Sequence, residues 1–210
     1  MTDAPTPLIR QRLEIINLLP ENTGKILDIG CSDGNVGLSI KERFSCEVTG
    51  LEIDSEKAKI AASKLDKVIV GDIETMDPRL KDGYFDCIIF GDVLEHLKDP
   101  VKALIKYGAY LKEDGRFIIS IPNVRHIKVL FNLAVLGEWR YEPFGIIDEG
   151  HMRFFTLKSF RRLMQEARVA PISTDRIFSL KGSRFFNLLT LGIFKDLLTA
   201  QYVFLAKKKK

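Results

Sequence analysis

Acidic residues stand at the ends of several predicted strands, and a glycine-rich turn follows the first strand. Residues 25–37 read KILDIGCSDGNVG, a pattern that predicts a buried strand, a tight turn and the start of a helix. Gly30 and Gly34 permit a positive φ or the close approach of a ligand to the backbone. We therefore expect backbone N–H groups and a helix N-terminus to face a bound ligand here.

The position of Asp28 helps to choose between ligands. The glycine spacing is G-x-x-x-G-x-x-G, whereas the fingerprint of NAD-binding proteins is G-x-G-x-x-G. Asp28 lies two residues before the first glycine, where its charge would repel a pyrophosphate. A ligand with an ammonium group and no phosphate fits better, and S-adenosylmethionine has both properties. Cys31, within the turn, is expected either to line the ligand or to pack in the core.

Further acids follow the next predicted strands. Glu52 lies 22 residues after Gly30, and a carboxylate at that distance can accept both ribose hydroxyls of an adenosine. Asp72 follows the third strand and could accept a hydrogen bond from the adenine amine, with Ile73 packed on the base. The alternatives are a solvated charge at Glu52 and a turn aspartate at Asp72.

Strands and helices alternate along the sequence. After the strand that ends at Ile29, hydrophobic patterning predicts strands at 46–51, 68–70, 84–90, 116–121, 172–180 and 201–206. It predicts helices at 8–19, 36–44, 55–65, 101–111, 127–136 and 157–167, with Ser55 and Thr156 as N-caps. This alternation indicates a parallel sheet covered by helices on both faces. Ligands of such sheets bind beyond the carboxyl ends of the strands, where the acids stand.

Composition bounds the function. The 210 residues are 46% apolar, enough for one domain with a full core, and the net charge of +4 equals the contribution of residues 207–210. We expect these four lysines to form a solvated tail and the protein not to bind nucleic acid. Three cysteines without C-x-x-C spacing predict neither disulfides nor a zinc site. With no signal peptide or transmembrane segment predicted, a cytoplasmic location is expected.

Five segments in order, LDIGCSDGNVG, VTGLEID, VGDIE, FDCIIFGDVLEHLKDP and LKEDGRFIISIPN, resemble the class I S-adenosylmethionine-dependent methyltransferases. The resemblance implies an α/β fold: a Rossmann-like, doubly wound, seven-stranded, mostly parallel sheet with an antiparallel last strand and helices on both faces. It implies S-adenosylmethionine as cofactor and S-adenosylhomocysteine as product. The predicted cofactor-binding residues are Asp28, Gly30, Cys31, Gly34, Glu52, Ile53, Asp72, Ile73, Gly91 and Asp92. Many members have glycine where this sequence has Ser32, and serine fits if its φ is negative.

The region after the fourth strand is expected to bind the methyl acceptor. A lid-like insert at about 124–155 carries the aromatic segment GEWRYEPFG, which either covers the substrate or packs on the helix layer. His151 is the first candidate for a general base and His96 the second, although positioning alone can drive methyl transfer. Adjacent residues cannot share one helix face, so Glu95 and His96 predict no metal site. Arg153 could hold an anionic substrate or pair with a nearby acid.

The acceptor is predicted to be a small molecule. The string HMRFFT resembles methyltransferases that accompany cell-surface polysaccharide synthesis, which suggests an oxygen of a sugar or lipid-linked intermediate. A helical insert at about 183–198 could line the pocket, form a homodimer contact or touch a membrane surface. Two other functions remain open at this point: a non-catalytic cofactor-binding partner subunit, and an NAD-dependent oxidoreductase.

Overall fold

The computed structural model describes residues 12–178 and 192–209. The strands are β1 (Lys25–Ile29), β2 (Glu47–Glu52), β3 (Lys67–Val70), β4 (Phe85–Gly91), β5 (Leu111–Pro122), β6 (Val169–Phe178) and β7 (Thr199–Lys208). The helices are α1 (Leu13–Ile16), α2 (Asn35–Lys41), α3 (Ser55–Ala61), α4 (Pro100–Gly108), α5 (Ile127–Val135), α6 (Leu157–Glu166) and α7 (Lys195–Leu198), with a 3-10 helix at Leu94–His96.

All seven strands form one sheet in the order β3-β2-β1-β4-β5-β7-β6. The first five strands pair in parallel, and β7 is antiparallel to both of its neighbours, β5 and β6. The predicted seven-stranded fold with an antiparallel last strand is therefore confirmed. Because β1 to β4 run in the same direction, the residues at their carboxyl ends meet at one edge of the sheet.

Apolar residues on both faces of the sheet explain why it is covered on both sides. Along β1, Ile26 belongs to one buried cluster, whereas Leu27 and Ile29 belong to the other. Along β4, Cys87 and Ile89 alternate in the same way with residues of the opposite cluster. This period of two places successive side chains on opposite faces, as expected for strands of a buried parallel sheet.

A predicted helix end and a predicted N-cap are wrong. The helix predicted at 101–111 ends at Gly108, and Leu111 instead begins β5, where it pairs with Phe85 before a register shift. The local helical pattern could not reveal this pairing with a distant strand. Asp54, rather than Ser55, caps α3, because its carboxylate accepts the N–H groups of Glu56 and Lys57. The N-cap predicted at Thr156 is confirmed.

The C-terminal lysines are not simply a solvated tail. Strand β7 continues to Lys208, whose Nζ donates to the carbonyl of Leu111 at 2.7 Å. Of the predicted helical insert at 183–198, residues 183–191 lie outside the described residues, and α7 covers Lys195–Leu198. The start of the predicted first helix lies outside them too. Among the described helices, none has the length and apolar character that crossing a membrane requires.

Candidate functional site: a cofactor cradle beside an acceptor cavity

The turn between β1 and α2 is shaped by backbone conformations that favour glycine. Gly30 and Gly34 have φ values of 68° and 78°, and a Cβ on Gly30 would lie 2.6 Å from Cγ2 of Val93. Ser32 has a φ of 51°, so the condition under which a serine would fit this position, a negative φ, is not met. Its N–H donates to Glu52 at 2.7 Å, a charge-assisted bond that helps to hold the strained turn.

Asp28 is a buried acid with an unsatisfied oxygen. Its side chain lines a cavity of about 230 Å³ together with Gly30, Gly91 and Arg12. Only 4% of Asp28 is exposed, and its Oδ2 has no hydrogen-bond partner. Burial raises the pKa of Asp28 to about 7, while the charge of Arg12 acts to lower it and that of Glu52 to raise it. A cationic group of a ligand, such as an ammonium, would donate a hydrogen bond to this oxygen and balance its charge.

The Glu52 carboxylate is held at the end of β2 by backbone donors. Its Oε2 accepts the N–H of Ser32 at 2.7 Å, and its Oε1 accepts that of Asp54 at 2.9 Å. Each carboxylate oxygen can accept more than one hydrogen bond. Both oxygens of this fixed carboxylate therefore retain capacity for ligand hydroxyls.

The residues expected around the adenine differ in their surroundings. Asp72 accepts the N–H of Glu74 at 2.8 Å, so it is a turn aspartate with oxygen capacity to spare. Ile53 is 67% exposed and offers an apolar surface beside Glu52. Ile73 is only 8% exposed and belongs to the core. Only a small part of its surface is therefore available to a base, and the contact with the base stays a prediction.

Asp92, at the end of β4, anchors a polar network. Its φ of 58° is rare for a residue with a side chain. Oδ2 accepts a hydrogen bond from Nη1 of Arg12 at 2.8 Å. Oδ1 accepts one from Oγ of Ser120 at 2.7 Å and another from the side-chain amide of Gln201. Sequence reasoning missed these three partners, because they come from distant parts of the chain and no local motif marks them.

Asp92 also lines a second, larger cavity of about 520 Å³. Gly91 lines the smaller cavity, so two consecutive residues line the two different spaces. Other side chains around the larger cavity include Glu95, His96, His126, Trp139, Phe144 and His151. A group bound beside Gly91 would thus lie next to whatever occupies the larger cavity.

The two candidate bases are brought together there. The rings of His96 and His151 lie edge to face, with centroids 4.7 Å apart. Nδ1 of His96 lies 3.0 Å from the carbonyl of Gly150, and Nδ1 of His151 lies 3.1 Å from that of Ile146. Because a carbonyl only accepts, Nδ1 must carry the proton in both contacts, and Nε2 of each neutral ring then holds a lone pair. Burial lowers the pKa of His151, and the charge of His96 lowers it further.

Glu95 lies beside the ring of His151. The side chain is fully buried, and neither carboxylate oxygen has a hydrogen-bond partner. Burial raises its pKa well above the usual value, with Asp92 adding to the effect. One oxygen lies 3.9 Å from Nε2 of His151. The backbone carbonyl of Glu95 accepts the N–H groups of Met152 and Arg153, both at 2.9 Å, which fixes the loop that carries His151.

Two expectations about this region need correction. Glu95 and His96, although adjacent, do converge: one atom from each lies within 4.8 Å of the other and of a ring nitrogen of His151. The prediction from helix faces considered only two adjacent residues, whereas the third member of the group, His151, comes from a separate loop. Arg153 donates to the carbonyl of Lys98 instead of holding a neighbouring acid.

The aromatic segment of the predicted lid contributes both to the cavity wall and to packing contacts, and its role in covering the substrate stays a prediction. Trp139 and Phe144 line the larger cavity. Trp139 also packs against Phe154, with ring centroids 5.2 Å apart. Phe144 is 78% exposed, so it has room to contact a bound molecule.

The chain belongs to the S-adenosylmethionine-dependent methyltransferase family: the family model described as a methyltransferase domain matches residues 5–169. This match selects the methyltransferase class over an NAD-dependent oxidoreductase. S-adenosylmethionine is the cofactor of the family, and the buried oxygen of Asp28 and the close backbone approach allowed at Gly30 fit its methionine end.

Curated relatives agree with this assignment, and a solved structure shares the fold. The ubiquinone biosynthesis O-methyltransferase of Xanthomonas axonopodis pv. citri (strain 306) is 28% identical over 132 residues, which are 60% of this chain and 54% of that protein. The (S)-tetrahydroprotoberberine N-methyltransferase of Eschscholzia californica is 28% identical over 122 residues, 54% of this chain and 33% of that protein. The chain thus spans about half or less of these relatives. A SAM-dependent methyltransferase from Archaeoglobus fulgidus has the same fold, with a TM-score of 0.66, 20% identity and coverage of 95% of this chain and 91% of that one.

Proposed function

We propose that the protein transfers the methyl group of S-adenosylmethionine to an oxygen of a small molecule, such as a sugar or lipid-linked intermediate. The observation that carries the proposal is that two consecutive residues, Gly91 and Asp92, line the smaller and the larger cavity, respectively. A cofactor in the smaller cavity would present its sulfonium to the larger one. Placing the methyl group and the acceptor oxygen in line is the main requirement of this reaction.

Three acids would hold the cofactor. Asp28 would pair with its ammonium, Glu52 would accept the ribose hydroxyls, and Asp72 would accept the adenine amine. Before any ligand binds, burial restricts the side chain of Asp28, and backbone hydrogen bonds fix the carboxylate of Glu52. Such pre-organisation favours binding because little further ordering is needed.

The larger cavity suits an acceptor with hydroxyl groups. Carboxylates at Asp92 and Asp148 and cations at Lys128 and Arg140 line the same space. These groups can hydrogen-bond several hydroxyls, while the aromatic rings in the cavity wall can pack on the apolar face of a sugar or phenol ring. The name of the ubiquinone biosynthesis relative also favours an oxygen nucleophile.

Nε2 of His151 is the proposed proton acceptor when no metal ion is bound beside it, with His96 as the second candidate. A hydrogen bond at Nδ1 orients each ring, and the lowered pKa of His151 keeps its ring neutral near pH 7. As the acceptor oxygen bonds to the methyl carbon, the carbon–sulfur bond breaks and the hydroxyl proton moves to the ring. S-adenosylhomocysteine is the product.

The proposal is tested with isotopically labelled S-adenosylmethionine and a panel of acceptors: nucleotide sugars, polyprenyl-linked sugars, catechols and primary amines. The expected result is a product in which a carbon–oxygen bond carries the label, identified by mass spectrometry and NMR. Label transferred only to the amines would contradict the oxygen assignment. Cofactor binding without transfer to any member of the panel would favour the non-catalytic partner subunit.

A further inference from the structure

We propose that Glu95, His96 and His151 form a binding site for a divalent transition-metal ion, such as Zn²⁺, at the wall of the acceptor cavity. Two imidazoles and one carboxylate are a ligand set that proteins use for catalytic Zn²⁺ and related ions.

The spacing of the three groups is close to what such an ion needs. One ligand atom from each residue lies within 4.8 Å of the others, and the pair from Glu95 and His151 is 3.9 Å apart. Ligand atoms about 2.0–2.1 Å from a tetrahedral Zn²⁺ stand roughly 3.4 Å from one another. Small side-chain rotations of Glu95 and the histidines would therefore bring them to bonding distance.

The histidine rings are already arranged as ligands. The carbonyls of Gly150 and Ile146 bind the two Nδ1 atoms, which leaves an Nε2 lone pair on His96 and on His151. Metal-bound histidines commonly donate their other ring N–H to a carbonyl or carboxylate, which fixes the tautomer and the ring orientation.

The unsatisfied carboxylate of Glu95 is a second, independent indication. Among the described residues, only Asp28 and Glu95 have buried carboxylate oxygens without a hydrogen-bond partner. The ammonium of the cofactor accounts for Asp28. Nothing in the methyltransferase chemistry accounts for Glu95, whose side chain has no exposed surface. A bound cation would neutralise it and compensate for its desolvation.

Three protein ligands leave at least one coordination position of the ion open. The surrounding cavity is where the acceptor is proposed to bind. A catalytic role for this ion rests on the proposed function. The acceptor hydroxyl binds the ion, which lowers the pKa of the hydroxyl so that its proton passes to water. The oxygen then attacks the methyl carbon, the carbon–sulfur bond breaks, and the histidines act as ligands rather than as bases.

The test uses the full chain without an affinity tag, freed of metal with a chelator. Zn²⁺ is titrated by calorimetry and Co²⁺ by its visible absorption, which reports nitrogen and oxygen ligation directly. The variants are Glu95→Gln, which keeps the side-chain shape, and His126→Asn, which removes the third histidine of the chain and keeps an N-capping side chain on α5. Binding of S-adenosylhomocysteine shows that each variant is folded.

We expect one equivalent of metal to bind the unmodified protein and the His126→Asn variant with similar affinity. Glu95→Gln should weaken binding by at least about 100-fold, because even the loss of a residue that only supports a ligand costs 10–100-fold. Absence of saturable binding to the unmodified protein, or equal affinity in Glu95→Gln, would overturn the metal site. Neither outcome concerns methyl transfer, which is measured separately. Full transfer after chelation would refute the catalytic step and leave the proposed function standing.

Discussion

Replacing Asp28 by asparagine separates the stability of the protein from its ability to bind the cofactor. The substitution removes a charge and nearly preserves the side-chain shape. In the folded protein without ligand, burial raises the pKa of Asp28 to about 7. The charged carboxylate therefore destabilises the empty protein near neutral pH, and Asp28→Asn should stabilise it.

The magnitude follows from the difference between the folded and unfolded pKa values. Raising the pKa from 3.8 to about 7 corresponds to about 4 kcal/mol, at about 1.4 kcal/mol per unit. The sign is that of an acid whose folded pKa is raised: the penalty is small below pH 4, grows between pH 4 and 7, and is complete above pH 7. Asp28→Asn should thus gain up to about 4 kcal/mol at pH 8 and only about 0.5 kcal/mol at pH 4.

Denaturant unfolding of the ligand-free protein at pH 4, 6 and 8 measures this gain. Asp86→Asn is the matched control. Burial acts to raise the pKa of Asp86, but hydrogen bonds from Lys112 and from the backbone of Lys25 and Gly24 lower it overall. Asp86→Asn should therefore destabilise the protein by a similar amount at pH 8 and pH 6, with a loss that shrinks only below about pH 4. A destabilised Asp28→Asn variant at pH 8 would refute the reasoning.

Three other predictions follow from the cofactor cradle, each read by calorimetry with S-adenosylhomocysteine unless another method is given. Affinity should fall up to about tenfold per pH unit below pH 7, because the ammonium pairs with ionised Asp28, and this dependence should vanish in Asp28→Asn. Glu52→Gln should weaken binding roughly 10–100-fold through lost charged hydrogen bonds, whereas Asp54→Asn, which keeps the cap of α3, should not. Gly30→Ala should lower the free energy of unfolding by about 1–3 kcal/mol in denaturant titrations, because its φ is positive and a Cβ would meet Val93.

Each of these predictions has a result that would contradict it. Affinity independent of pH in the unmodified protein would show that the ammonium does not meet Asp28. Equal weakening by Glu52→Gln and Asp54→Asn would point to a general disturbance of the turn instead of a ribose contact. An unchanged unfolding midpoint in Gly30→Ala would mean that the turn relaxes without strain.

Local sequence patterns were enough to predict the strands and the acids at the edge of the sheet, whereas the antiparallel last strand was implied by the family resemblance. Asp28 lies within the short strand β1 and Glu52 is the last residue of β2, so local patterns sufficed to place them near strand ends. The left-handed backbone of Ser32 could not be predicted in the same way, because a single residue type does not fix φ. Neither could the early start of β5 at Leu111, which depends on pairing with another strand.

Contacts between distant residues account for what the sequence did not reveal in the site. Arg12 and Gln201 reach Asp92 across 80 and 109 positions of the chain. The meeting of Glu95 with His151 depends on the fold of a loop whose own sequence carries no periodic signal. Such contacts are products of tertiary packing, which residue spacing alone does not encode.

The most direct test of the account is a crystal structure of the protein with S-adenosylhomocysteine. The amino group is predicted to lie about 3 Å from the carboxylate of Asp28. The ribose hydroxyls should contact Glu52, and the sulfur should face the larger cavity beside Gly91 and Asp92. A ligand whose sulfur points away from that cavity, or one bound at another edge of the sheet, would contradict it.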